Sequence, residues 1–346
     1  MVGTRKKYFR HQLRVGVINI ADLNSLLWNI KRIEQHRVEL TDERIRAIYE
    51  QLMKDLDSFI ADSYKKWADK DGRLYLKYLD EYRMRAAFLQ QIADSVDNIA
   101  PKLRDEILKV INATYEECYR GMIESLKATY TNAEIAELLK DIDVNPQVLQ
   151  YTLNNHISKL TLPAVLEAHR AQLIYQIQQE LTIGLLNGDR YETMIKRISE
   201  RTGFSEGKSK NVVRTETHRN VEGGFMDCAE HLQKGLEGSG LIYAATWRTM
   251  KDERVRPQVR RKVKGKWKTT WSKNGANHMV MEGKTVKAGE MFNLGNGVKA
   301  KAPGQSGVAA HDCQCRCFLE YNLMTVEEFA KATGQTVEQV RKKYNL

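Results

Sequence analysis

The side chains best suited to chemistry in this chain cluster near its end: His278, His311, Cys313, Cys315 and Cys317. Imidazole and thiolate are the donors that zinc takes in closed structural sites. The three cysteines are two residues apart, so along an extended strand their thiols share a face at backbone intervals of about 6.6 Å. Two thiolates on one zinc stand about 4 Å apart, because bonds of about 2.3 Å meet at tetrahedral angles. A shared ion therefore requires the segment to bend, and Cys-x-Cys is not the usual finger spacing. His278, Cys313, Cys315 and Cys317 form the tentative metal set, with zinc as the ion and His311 as a further donor. Buried reduced cysteines, or a pair closed by oxidation, account for the same residues without metal.

An acid at Asp252 and an imidazole at His278 are also what a metal-dependent nuclease needs, and a Cys–His pair is what a thiol hydrolase uses. The chain has no His-Glu-x-x-His, no Walker loop and no second carboxylate at a useful spacing. Asp252 and Arg254 are more simply an ion pair that fixes a turn. A binding protein is expected rather than an enzyme, with the nuclease using His278 and Asp252 as the alternative.

Charge points to the same region. The chain carries 55 Lys and Arg against 44 Asp and Glu, a net +11. Residues 248–301 hold fifteen Lys or Arg and four Asp or Glu, which is again +11, so the remainder is neutral. Such a patch is the electrostatic footprint of a nucleic-acid partner. Residues 260–273 concentrate seven of the cations beside Trp267 and Trp271. They read as two short strands turning near Lys264-Gly265. On an ideal strand Arg260, Lys262, Lys264, Lys266 and Lys268 share one face and the tryptophans lie opposite. Those five cations are the tentative DNA-binding face, giving counterion-release affinity without base readout. A solvated basic surface is the bland reading of the same residues.

The elements that must position these groups follow from periodicity. Residues 1–20 form a basic arm. Residues 21–202 are a helical body, with an apolar stripe through Ile45, Ile48, Leu52, Leu56, Phe59 and Tyr64. Helix starts are expected at Thr41, near Pro101, at Asn145-Pro146 and at Leu162-Pro163, and a stop at Asn187-Gly188. Residues 203–240 are a connecting helix opened by Gly203 and Ser205, carrying Arg214-Thr215-Glu216 and weakened at Gly223-Gly224. Beyond Gly240 the period changes: Leu241, Tyr243, Ala245 and Trp247 alternate as in a strand, and Gly295-Asn296-Gly297 marks a hairpin. Residues 241–320 form a small, mixed, mainly-β, glycine-rich basic domain. Residues 321–346 are a helical hairpin, since Thr325…Glu328 and Thr336…Gln339 are capping boxes. The fold class is α+β: a long helical N-terminal body, a small mainly-β domain and two short C-terminal helices. No apolar run is long enough to span a membrane. Five cysteines, two of them isolated, make no secreted disulfide framework and suit a reducing cytoplasm.

One further pattern is a resemblance. The order Arg214-Thr215-Glu216, Trp247, Asp252-Glu253-Arg254-Val255-Arg256, His278 with Glu282-Gly283-Lys284, Gly289-Glu290-Met291-Phe292, Pro303-Gly304 and Cys315-Arg316-Cys317 resembles the signature of phage minor head proteins. This is the head-morphogenesis family typified by protein F of phage Mu. Residues 257–277 are longer here than the matching segment in relatives, and Gln314 stands where an Asn usually precedes Cys-Arg-Cys. The resemblance implies a structural cluster of Arg214, Thr215, Glu216, Asp252, Arg254, His278, Cys315 and Cys317. It implies a structural protein at the portal vertex that aids head assembly or DNA packaging and ejection. Its partners would be the portal protein, other head proteins and double-stranded phage DNA, with no membrane. Its location would be the virion, and the host cytoplasm during assembly. A nucleic-acid-binding regulator using the C-terminal helices is a third reading.

Overall fold

The computed structural model describes residues 20–81, 84–129, 161–251, 255–263, 266–271 and 275–346; for residues 20–31, 81, 125–129 and 258–271 the backbone alone is described. The basic arm, the Asn145-Pro146 helix start, Asp252, Arg254, Lys264 and Lys273 fall outside these residues or their side chains. The fold is α+β. Helices α1 (Ile20–Trp67), α2 (Leu76–Glu81), α3 (Arg85–Thr129), α4 (Leu162–Asn187) and α5 (Tyr191–Gly235) build the body. At 1.5 Å per residue, the 48 residues of α1 extend about 72 Å. Its inner stripe is Ile45, Tyr49, Leu52, Leu56 and Ile60, all buried. It packs on α3 and α5, in a core that includes Ile92, Val96, Ile99, Ile107 and Ile111 of α3 and Leu173, Ile177 and Leu181 of α4.

Several expected breaks are absent. Thr41 lies inside α1, where its hydroxyl donates back to the Arg37 carbonyl at 2.9 Å. Pro101 lies inside α3. A mid-helix proline costs about 3 kcal/mol, but α3 buries Phe88, Ile92, Val96 and Ile99 before it and Ile107, Val110 and Ile111 after it. The apolar stripe thus continues in phase across the proline and holds the helix together. Gly203 and Ser205 open nothing either, because α5 runs through both without interruption. Where tertiary burial is continuous, local breakers are overridden. At α4 the local signals prevail: Thr161 caps the helix by accepting from the Ala164 amide, and Gly188 ends it at φ 63°.

After α5 the chain forms β1 (Leu241–Arg248), β2 (Gln258–Val263), β3 (Lys266–Trp271), β4 (Thr285–Lys287), β5 (Phe292–Gly295), β6 (Val298–Ala300), a short helix α6 (Ala309–Asp312) and β7 (Phe318–Thr325). Strands β4, β1 and β7 make an antiparallel sheet with β1 at its centre. Tyr243, Ala245 and Trp247 join Tyr115, Tyr119, Phe225 and Leu232 of α3 and α5 in one core. Ile242 and Ala244, on the opposite face, are covered by Val326, Phe329 and Val340 of α7 (Val326–Thr333) and α8 (Val337–Tyr344). Both capping boxes form, at Thr325 with Glu328 and at Thr336 with Gln339. The C-terminal helices therefore seal the sheet with their apolar faces, which does not favour the regulator reading. Among the described residues no helix is long and apolar enough to cross a membrane.

The register of β2 with β3 corrects the expected cation face. Arg260 pairs Thr269, Lys262 pairs Trp267, and Gln258 pairs Trp271. Residues opposite each other on an antiparallel ladder share a face. Arg260 and Lys262 therefore share a face with both tryptophans, while Lys266 and Lys268 lie on the other with Arg261. The two-residue link between Val263 and Lys266 inverts parity from one strand to the next, which a single ideal strand cannot represent.

Candidate metal centre and the helix that carries it

The centre is organised by α5. From Thr215 to Phe225 every residue of this helix is buried, because α1 and α3 flank one side and the β module covers the other. A helix buried all round is normally apolar, yet this stretch reads Thr-Glu-Thr-His-Arg-Asn-Val-Glu-Gly-Gly-Phe. Thr215, His218, Arg219 and Glu222 are spaced i, i+3, i+4 and i+7 and so share one face. The Thr215 hydroxyl accepts from the Gln314 amide at 3.1 Å. The Arg219 Nε donates to the Gly304 carbonyl at 2.9 Å. The Glu222 carboxylate accepts from the Leu319 amide at 3.1 Å. His218 lies within hydrogen-bond reach of the Cys315 thiol. A polar stripe, and not an apolar one, joins the helix to the module on this face.

The ion pair behind this stripe is also buried. Arg219, 1% exposed, donates its Nη1 to both oxygens of Glu216 at 3.0 and 2.9 Å. Burial pushes the Glu216 carboxyl up, and Arg219 opposes that shift. Gly304 has φ +79°, and a Cβ there would stand 2.9 Å from Arg219 Cγ, so only glycine lets the loop approach the guanidinium. Gly223 and Gly224, read from sequence as a weak point, are places of close approach: a Cβ would meet Gln305 at 3.3 Å and Tyr115 at 3.4 Å. Arg214, at the other end of the motif, pairs outward with Asp42 of α1.

Gln314, at φ +55°, bends the chain just before β7. The bend leaves Cys313 exposed while Cys315 and Cys317 are buried. The two buried sulfurs each stand 3.5 Å from His278 Nδ1, and all three donor atoms lie within 4.8 Å of one another. Of the tentative metal set, the structure brings together His278, Cys315 and Cys317 and leaves Cys313 apart. The hydrogen bond between the thiols holds Cys315 well below the usual thiol range and Cys317 well above it. His278 Nε2 stands 3.1 Å from His311 Nδ1, and the two rings stack at 5.3 Å. Burial, and then His278, pulls His311 down. The indole of Trp247 meets His278 edge-on at 5.6 Å.

His278 is placed by its backbone. Its amide donates to the Arg256 carbonyl at 3.0 Å, as does that of Met279 at 3.1 Å. The chain therefore leaves the module at Arg256 and re-enters it at His278, with the β2–β3 hairpin as a closed excursion between them. The Arg256 guanidinium also donates to the Cys313 carbonyl. Sequence reasoning missed His218 and Arg219; the available signal was their spacing of three and four from Thr215. It also passed over the Gly-x-Ser-x-Gly string at residues 203–207. That motif activates serine on a strand-to-helix turn, whereas Ser205 is buried in mid-helix.

These features define a class: a helical body clamped to a small β module through buried polar contacts, with its reactive side chains enclosed. Known proteins resemble this chain over most of its length. Residues 175–320 match the family described as Phage Mu protein F like protein. Minor head protein GP7 of Bacillus phage SPP1 is 28% identical over 298 residues, covering 83% of this chain and 87% of that protein. An NAD(+)–arginine ADP-ribosyltransferase EFV of Enterococcus faecalis is 22% identical over 303 residues, covering 86% of this chain and 54% of that protein. Close to half of that second relative thus lies outside the match. No solved structure gives a significant match.

Proposed function

We propose that this chain is a structural minor head protein that associates with the portal vertex of a tailed phage or prophage and assists head assembly or passage of the packaged DNA. The observation that carries this reading is where the chemistry-bearing residues are spent. Thr215, His218, Arg219 and Glu222 fasten the module to α5, and His278, Cys315 and Cys317 are buried. Residues committed to assembly in this way suit binding and not turnover. The similarity to a minor head protein over most of both chains supports the same conclusion. The transferase activity in the second relative's name is a property of that larger protein, and here a non-enzymatic role is favoured. The virion, and the host cytoplasm during assembly, follow as locations. Other head proteins follow as partners, the portal protein among them, and the basic β2–β3 hairpin is assigned to duplex DNA.

The direct test is to tag the chain in a phage or prophage that encodes it, purify DNA-filled heads and identify their proteins by mass spectrometry. The tagged protein should appear in few copies per head and crosslink to the portal. Its absence from purified heads would overturn the assignment.

A further inference from the structure

We infer that this protein binds a structural zinc ion through Cys315, Cys317, His278 Nδ1 and His218, and that the ion staples α5 to the β module. The geometry of the first three donors matches the ion. With Zn–S bonds of about 2.3 Å and Zn–N bonds of about 2.0–2.1 Å, tetrahedral angles place nitrogen and sulfur donors about 3.6 Å apart. The observed separations from His278 Nδ1 are 3.5 Å to each sulfur. Two thiolates with imidazole form the donor set zinc takes in closed structural sites.

The fourth donor would come from α5. The His218 ring lies beside the Cys315 thiol but outside the group of donors that stand within 4.8 Å of one another, so it must move toward the ion on binding. Its Nδ1 stands 3.6 Å from the Glu34 carboxylate on α1. A ligating histidine commonly gives its other ring N–H to a carboxylate or to another acceptor that fixes its orientation. Both histidines have such a partner: Glu34 behind His218, and His311 Nδ1 at 3.1 Å from the outer nitrogen of His278. The donors come from α5, from the return point of the β2–β3 excursion and from the approach to β7. One ion would thus tie together three parts of the chain that are distant in sequence. Cys313 takes no part, because the bend at Gln314 turns it outward.

The test uses the full chain purified without chelators. Elemental analysis should give one zinc per chain, and replacement by Co(II) should produce thiolate-to-metal charge-transfer absorption with tetrahedral d–d bands. Cys313→Ser should keep the metal and the spectrum, whereas Cys315→Ser and Cys317→Ser should lose them. If those two variants fail to fold, the wild-type zinc content and cobalt spectrum still decide the matter. His218→Gln should shift the cobalt bands while His311→Gln leaves their positions unchanged; the reverse pattern would remove His218 as the fourth ligand. Metal-free, folded wild-type protein with unchanged melting after chelation would overturn the site altogether.

Discussion

The amide of Gln314 donates to the hydroxyl of Thr215 across 3.1 Å, joining residues 99 apart in the sequence. Through this contact the Arg-Thr-Glu motif of α5 reaches the Cys-Arg-Cys segment, since Gln314 is the left-handed residue that aims Cys315 inward. Thr215→Val removes the acceptor and keeps the shape. Losing one part-buried hydrogen bond should cost about 0.5–1.5 kcal/mol, measured by urea denaturation. Thr215→Ser should recover most of it. A Val variant as stable as wild type would show that the bend holds without α5.

The buried pair of Glu216 and Arg219 should be far more sensitive. Removing one member leaves the other as an uncompensated buried charge, at about 3–5 kcal/mol. Arg219→Ala is therefore expected to unfold or nearly unfold the module, and the double change Glu216→Gln with Arg219→Met to be milder than Arg219→Ala alone. Gly304→Ala, which presses on the same guanidinium from a positive φ, should also lower the melting temperature. If the double variant were no better than the single, the charge-burial account would fail.

Asp227 gives a pH signature. Burial, with Glu230 adding to it, pushes its carboxyl up to about 6, against about 3.9 for an unperturbed aspartate. Because the folded pKa is the higher one, this group's contribution to stability is fully present below about 3.9 and is lost as pH rises through about 6. Asp227→Asn should therefore stabilise the protein at pH 7.5, by about 1–2 kcal/mol after allowing for its partial exposure. It should give no gain at pH 4. Tyr115, whose hydroxyl donates to Asp227 at 3.3 Å, still finds an acceptor in the variant. An equal gain at both pH values would contradict the assignment.

The hairpin of β2 and β3 should be removable. Its two ends meet where the His278 and Met279 amides donate to the Arg256 carbonyl, so a short Gly-Ser link in place of residues 258–274 closes the same gap. Shorter loops cost less closure entropy, and circular dichroism should show an intact fold with an unchanged or higher melting temperature. Collapse of the fold on deletion would mean that the hairpin is part of the core.

The same hairpin carries the DNA assignment, now in the observed register. Arg261, Lys266 and Lys268 share a face without the tryptophans. Changing all three to Gln should flatten the dependence of log affinity on log salt by about 2.7, at about 0.9 for each phosphate no longer neutralised. Changing Arg260 and Lys262 should alter it less. Equal effects per residue from both faces, or no salt dependence in the wild type, would reassign the charge to an acidic protein surface.

Much of the architecture could be read locally. The stripe of Ile45, Leu52 and Leu56, the cap at Thr161, the Gly188 stop, the β1 alternation through Trp247 and the two capping boxes are short-range signals, and each appears in the fold. Thr41, Pro101 and Gly203 gave equally local signals that burial on both sides overrode. The hairpin parity failed for a different reason, since register is a property of two strands and their link.

By itself the sequence determined the α+β class, the motifs that carry the resemblance and the candidate residues for metal or DNA, because residue type and short spacing are covalent facts. Only the tertiary structure decided which of those residues meet. Cys313 and Cys315 are equivalent by spacing, yet the backbone turn at Gln314 exposes one and buries the other. His218 carries no ligand signal in its own helix, and it reaches Cys315 because α5 is enclosed between the body and the module. Contacts between residues about a hundred positions apart depend on how helices and strands pack, and no local pattern encodes that packing.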